Sequence, residues 1–138
     1  MINELANLNW WSVLLAFVAY FMLGALWFTL FFSKWYKISL GKENETLQNK
    51  PIFIVGPALC TLVITIASAV LLYALNIKSF GGLVEFWLLI GIGYLVANTV
   101  NIAINPNIPK PILYGLISGV YHLVGIFIVS IILFAMKY

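Results

Sequence analysis

Residues 111–136, PILYGLISGVYHLVGIFIVSIILFAM, are an unbroken apolar run that carries the chain's only histidine near its middle. At about 1.5 Å per residue such a run forms a helix long enough to cross a hydrocarbon core of about 30 Å. At helical spacing Gly115, Ser118, His122, Gly125 and Val129 share one face, where a lipid-facing helix would show Leu or Ile. That face is expected to meet other helices, and the rest of the chain must supply whatever His122 touches.

Working outward, the 138 residues are 64% hydrophobic and only 8% charged, with a mean hydropathy of +1.08. Soluble domains carry roughly 25% charged residues, so the composition indicates an integral membrane protein. Four runs of spanning length, at about 10–32, 52–75, 83–104 and 112–136, leave little chain over. The expected fold is therefore all-α, an integral membrane four-helix bundle occupying 1–138 as a single transmembrane domain. Met1 to Asn9 contains Glu4 and no Lys, and the run from Trp10 exceeds a signal-peptide core, so the first span is expected to stay in the mature protein.

The first span is bracketed by Trp10-Trp11 and Trp35-Tyr36, residue types that settle at headgroup level, and Tyr20, Gly24, Trp27 and Phe31 share one of its faces. Residues 33–51, including KENETLQNK, read as a solvated loop. In the second span Gly56-Pro57 is expected to bend the helix, and Thr61, Thr65, Ser68 and Leu72 line one side with hydroxyls that bond back or across. Cys60, without a second thiol, reads as an inert packing residue. Glu85 lies near the start of the third span and reads as an interface residue. Pro106, Pro109 and Pro111 make a tight connection, so spans three and four are expected to be antiparallel neighbours.

All seven basic residues are Lys. Lys34, Lys37, Lys42, Lys50 and Lys110 fall on one side of the expected bundle and Lys78 and Lys137 on the other. An excess of Lys marks the cytoplasmic side, which makes 33–51 a cytoplasmic loop and both termini non-cytoplasmic. Tyr138 reads as a final interface anchor. The expected home is a cell membrane, of the bacterial cytoplasmic kind, and the basic pI of about 9.1 reflects topology, with no nucleic-acid partner expected.

The third span is more polar. Gly91, Tyr94, Asn98, Asn101 and Asn105 recur at spacings of three and four, which on a straight α-helix forms one stripe. Counted from the shared turn, His122 lies ~16 Å and Asn98 ~9 Å deep. The expected ladder sets Asn101 near Ser118 or Tyr114, Asn98 near Ser118, and Tyr94 towards His122. In one reading this is a polar path on which His122 accepts a proton or a ligand, because imidazole titrates near neutrality. In the other, His122 is a neutral packing group paired with Tyr94, Asn98 or a hydroxyl of helix one.

Other chemistries find few residues. A bis-histidine haem would need a symmetric dimer, a zinc site lacks ligands, and the four acids lie in loops or at helix ends. No cofactor, metal or catalytic residue is expected. Three functions remain: a non-enzymatic, homo-oligomeric membrane protein that binds or passes a small solute or proton through a crevice between helices three and four; an accessory subunit docking another membrane protein through small-residue faces; and an intramembrane enzyme or redox carrier using His122.

The segments NWW at 9–11, GALWF at 24–28, the aromatic run to Trp35, and YHLVGI at 121–126 resemble the family known as domain of unknown function 1761, small four-span membrane proteins. The resemblance covers roughly the first 35 and last 25 residues. Where the family often has Tyr after the Trp of the first motif, this chain has Phe28, so that position lacks a phenol. The resemblance implies a four-span fold and a Tyr-His pair on the last helix, which adds Tyr121 to the candidate residues His122, Asn98, Asn101, Tyr94 and Ser118.

Overall fold

A computed structural model describes residues 1–46, 48 and 50–137. The readings of Leu47 and Asn49 as loop and of Tyr138 as an anchor fall outside the described residues. Among the described residues the chain is all-helical, and four helices are long and apolar enough to cross a membrane. They are α1 (Trp10–Phe31), α3 (Ile52–Ala74), α4 (Phe80–Ala103) and α5 (Pro111–Ala135), with a short α2 (Ser33–Ser39) between the first two.

The ends of these helices follow local chemistry. Asn9 caps α1, its side-chain oxygen accepting from the backbone N–H groups of Trp11 and Ser12 at 3.1 and 3.3 Å. Ser79 caps α4 in the same manner through Gly82 N–H, so this helix starts at Phe80 instead of about residue 83. Pro111 opens α5, where its missing N–H costs nothing. Pro57 lies within the first turns of α3, and the helix runs on through it. Ser33–Ser39, expected as loop, is helical because Tyr36 packs against Phe28 and Tyr114, with ring centroids 4.8 and 5.8 Å apart. Cys60 is exposed on α3, so it is not the packing residue expected.

The hub is α5. Half of its most apolar stretch is buried, against 17%, 22% and 17% for α1, α3 and α4, because those helices pack around it. Small residues make this approach possible: Gly115 lies over Val100 and Ala103 of α4, and Gly119 over Val96. Two indoles tie neighbours to its backbone, Trp27 of α1 donating to Ile117 O at 3.1 Å and Trp87 of α4 to Leu123 O at 2.9 Å. Trp87→Phe is expected to keep the ring packing on Phe127 and lose about 1 kcal/mol of stability, read from the unfolding midpoint in detergent.

Inside the helices hydroxyls mostly bond back. Thr61, Thr65, Thr99 and Ser130 each donate to the carbonyl four residues earlier at 2.7–2.9 Å. Thr61, Thr65, Ser68 and Leu72 share the buried face of α3, as their spacing predicts.

Contacts at the two ends sort the connections. Lys110 N–H donates to Ser39 O, and Lys110 Nζ lies 3.7 Å from Glu43, joining the 33–51 segment to the Pro-rich turn. At the opposite end Asn9 Nδ2 donates to Met136 O, and Lys137 Nζ lies over the Tyr73 ring. Burial, with the Tyr114 phenol beside it, pushes the Tyr36 hydroxyl from 10.0 up to about 12. An unfolded Tyr ionises near pH 10, so this contribution is whole below pH 10 and disappears as pH rises towards 12. Tyr36→Phe is expected to flatten the fall of the unfolding midpoint over that window.

Candidate functional site

Both α1 and α4 contain a π-helical turn, at Trp27–Phe31 and Gly91–Val96. Each such turn inserts one residue into the 3.6-residue repeat and rotates the remainder of the helix by about 100°. In α4 the turn begins at buried Gly91, where a side chain would run into Leu123 and Ile126 of α5. Beyond it the residues facing α5 are Val96, Val100 and Ala103, and the polar stripe is carried round to the outside. Tyr94 is 65% exposed, and Asn98 and Asn101 are exposed as well. Asn105 is occupied locally, donating to Ile102 O and accepting from Asn107 N–H. The ladder expected between helices three and four is therefore not assembled within the chain. Ser118 does face inward, 5% exposed, and its hydroxyl has no hydrogen-bond partner among the described residues.

His122 turns instead towards α1. The Tyr20 hydroxyl lies 2.5 Å from His122 Nδ1, and the two rings meet edge to face with centroids 6.2 Å apart. With the phenol donating, the neutral imidazole carries its proton on Nε2. Tyr20 is fully buried, whereas the imidazole is half-buried, and Nε2 makes no hydrogen bond to any described residue.

The pair sits in a reciprocal contact. The Tyr20 ring lies against Gly125 of α5, in space that a methyl group would occupy, while the Tyr121 hydroxyl lies over Gly24 of α1. Both helices thus present a Tyr and a Gly four residues apart, Tyr20/Gly24 and Tyr121/Gly125, and the antiparallel crossing sets each Tyr on the other's Gly. The two phenol rings touch at 5.4 Å, and Phe28 and Trp27 close the aromatic wall around Tyr121 at 5.1 and 6.4 Å.

Of the six candidate residues, then, His122, Tyr121 and Ser118 are on or beside the inward surface of α5, and Tyr94, Asn98 and Asn101 are not brought to them. Tyr20 is the residue that sequence spacing did not single out beyond naming a helix-one hydroxyl and an aromatic face. The available signal was the repeated Tyr-x-x-x-Gly in YFMLG at 20–24 and YHLVG at 121–125. With Nδ1 accepting from Tyr20, the ring can donate one hydrogen bond from Nε2–H.

Among the described residues, four apolar helices of spanning length, with a polar Tyr–His contact on the helix the others pack around, point to a membrane protein. Residues 11–134 match the family described as Protein of unknown function (DUF1761), and the chain belongs to that family. The match runs through the middle of the chain as well as the two ends that carried the resemblance. No curated protein and no solved structure matches the chain.

Proposed function

We propose that the chain is a four-helix transmembrane domain over 1–138 that binds or passes a small solute or a proton at His122, along the seam between α1 and α5. The open nitrogen carries this reading: Tyr20 engages Nδ1, and Nε2 of a half-buried ring has no partner among the described residues. An ionisable group within a membrane span is costly to keep and is a functional candidate on that ground. The seam replaces a crevice between helices three and four because Tyr94, Asn98 and Asn101 face away.

The same reading sets both termini outside the cytoplasm and the chain in a cell membrane, of the bacterial cytoplasmic kind. It is supported by the grouping of Lys34, Lys37, Lys42, Lys50 and Lys110 at the end where Lys110 meets Ser39 and Glu43. The second reading, an accessory membrane subunit, is favoured by the outward polar groups of α4.

Proteoliposomes enclosing a pH-sensitive dye test the first reading under an imposed potassium diffusion potential. Wild type is expected to dissipate a proton gradient, His122→Gln to lose that flux, and Tyr20→Phe to keep it, since the imidazole remains. If wild type shows neither proton flux nor pH-dependent solute binding, and both variants merely unfold at lower temperature, the pair is a packing lock and the reading fails.

A further inference from the structure

We propose that the outward face of α4, formed by Gly93, Tyr94, Ala97, Asn98 and Asn101, docks a second copy of this chain across a two-fold axis along the membrane normal. The inference rests on the four helices crossing a membrane. It starts from polar groups left over: Tyr94, Asn98 and Asn101 are exposed, and none makes a side-chain hydrogen bond to a described residue. Several other polar side chains of the spans do. Thr29, Thr61, Thr65, Thr99 and Ser130 donate to their own helices, and Trp27 and Trp87 donate to α5.

Measured back from Ala103, Asn98 lies ~7.5 Å and Tyr94 ~13.5 Å along the helix, depths at which acyl chains offer neither donor nor acceptor. Small residues stand beside these groups. Gly93 and Ala97 are exposed at i and i+4, and a Cβ built on Gly93 would meet only Leu89 of its own helix, which leaves the face open to another backbone.

Symmetry selects the occupant. Copies inserted in the same orientation can be related only by rotation about the membrane normal, so α4 meets itself in parallel and residues of equal depth face one another. Each group in the stripe must then pair with its own kind. Carboxamides and phenols can do so, because each is both donor and acceptor, whereas a carboxylate or an ammonium could not. The stripe holds only self-complementary groups.

The test uses the full chain with Cys60→Ser, carrying either Ala97→Cys on the proposed face or Val63→Cys on the exposed face of α3. After an alkaline carbonate wash, oxidation of the washed membranes is expected to cross-link Ala97→Cys into dimers and to leave Val63→Cys monomeric. Light scattering in detergent should then show two copies for the parent, one for Asn98→Leu/Asn101→Leu, and two again for Asn98→Gln/Asn101→Gln, which keeps the amides. Helix content should be the same in all three. A membrane-integral monomer, equal cross-linking at both positions, or a different protein caught at position 97 overturns the docking and leaves the membrane reading standing. Release of the chain by carbonate overturns both.

Discussion

Gly125→Ala is expected to be among the most damaging single-methyl changes in this chain. The added carbon would fall inside the Tyr20 ring, which cannot retreat because it is fully buried and its hydroxyl is held by His122. Overpacked sites typically lose about 1–3 kcal/mol, and a ring pinned at both ends belongs at the upper end. Gly56→Ala is the internal comparison: nothing lies within 4 Å of a methyl there, so the helix should gain up to about 1 kcal/mol from propensity alone. The unfolding midpoint in detergent should therefore move in opposite directions for two identical substitutions. Adding Tyr20→Leu to Gly125→Ala should cost less than the sum of the two changes, and strict additivity would show that the ring is not what the methyl meets.

The second large effect belongs to Tyr20 itself. Tyr20→Ala removes a fully buried aromatic ring, leaves a void against Gly125 and strips His122 of its partner, which together should cost about 3–5 kcal/mol. Tyr20→Phe keeps the ring and removes only the hydroxyl, for a net loss nearer 0.5–1.5 kcal/mol. The ratio is informative. Should Phe prove as costly as Ala, the hydrogen bond to His122, and not the packing of the ring, would be holding α1 to α5.

Substitutions at Gly125 and at Tyr20 act on one contact from its two sides, and both bear on how far His122 can act. An imidazole held through Nδ1 keeps a fixed orientation, so whatever reaches Nε2 meets it at a defined angle. Loosening the contact with Tyr20→Phe leaves the titrating group in place. Loosening it with Gly125→Ala pushes the helices apart. Flux or binding measured in both variants separates the chemistry of the ring from the geometry of the seam.

Much of the architecture is legible in the composition and in helical periodicity. The hydrophobic lengths mark the four long helices, and the spacing of Thr61, Thr65, Ser68 and Leu72 marks the buried side of α3. The polar stripe of α4 was legible as a stripe, but its direction was not. A straight α-helix carries Gly91, Tyr94, Asn98 and Asn101 on one face, and the π-helical turn from Gly91 to Val96 breaks that phase after its first member. The turn begins where Gly91 is wedged against Leu123 and Ile126, residues some thirty positions away in sequence.

By itself, then, the amino-acid sequence determined what depends on composition and on neighbours a few residues apart: an all-helical chain, four spanning-length helices, and the residues that share a face in an unbroken helix. Only the tertiary structure decided which faces meet. The pairing of Tyr20 with His122, the crossing of two Tyr-x-x-x-Gly segments, and the outward turn of Tyr94, Asn98 and Asn101 all depend on where a second helix presses. Backbone hydrogen bonds set the period of a helix, but packing against a distant segment decides where that period slips.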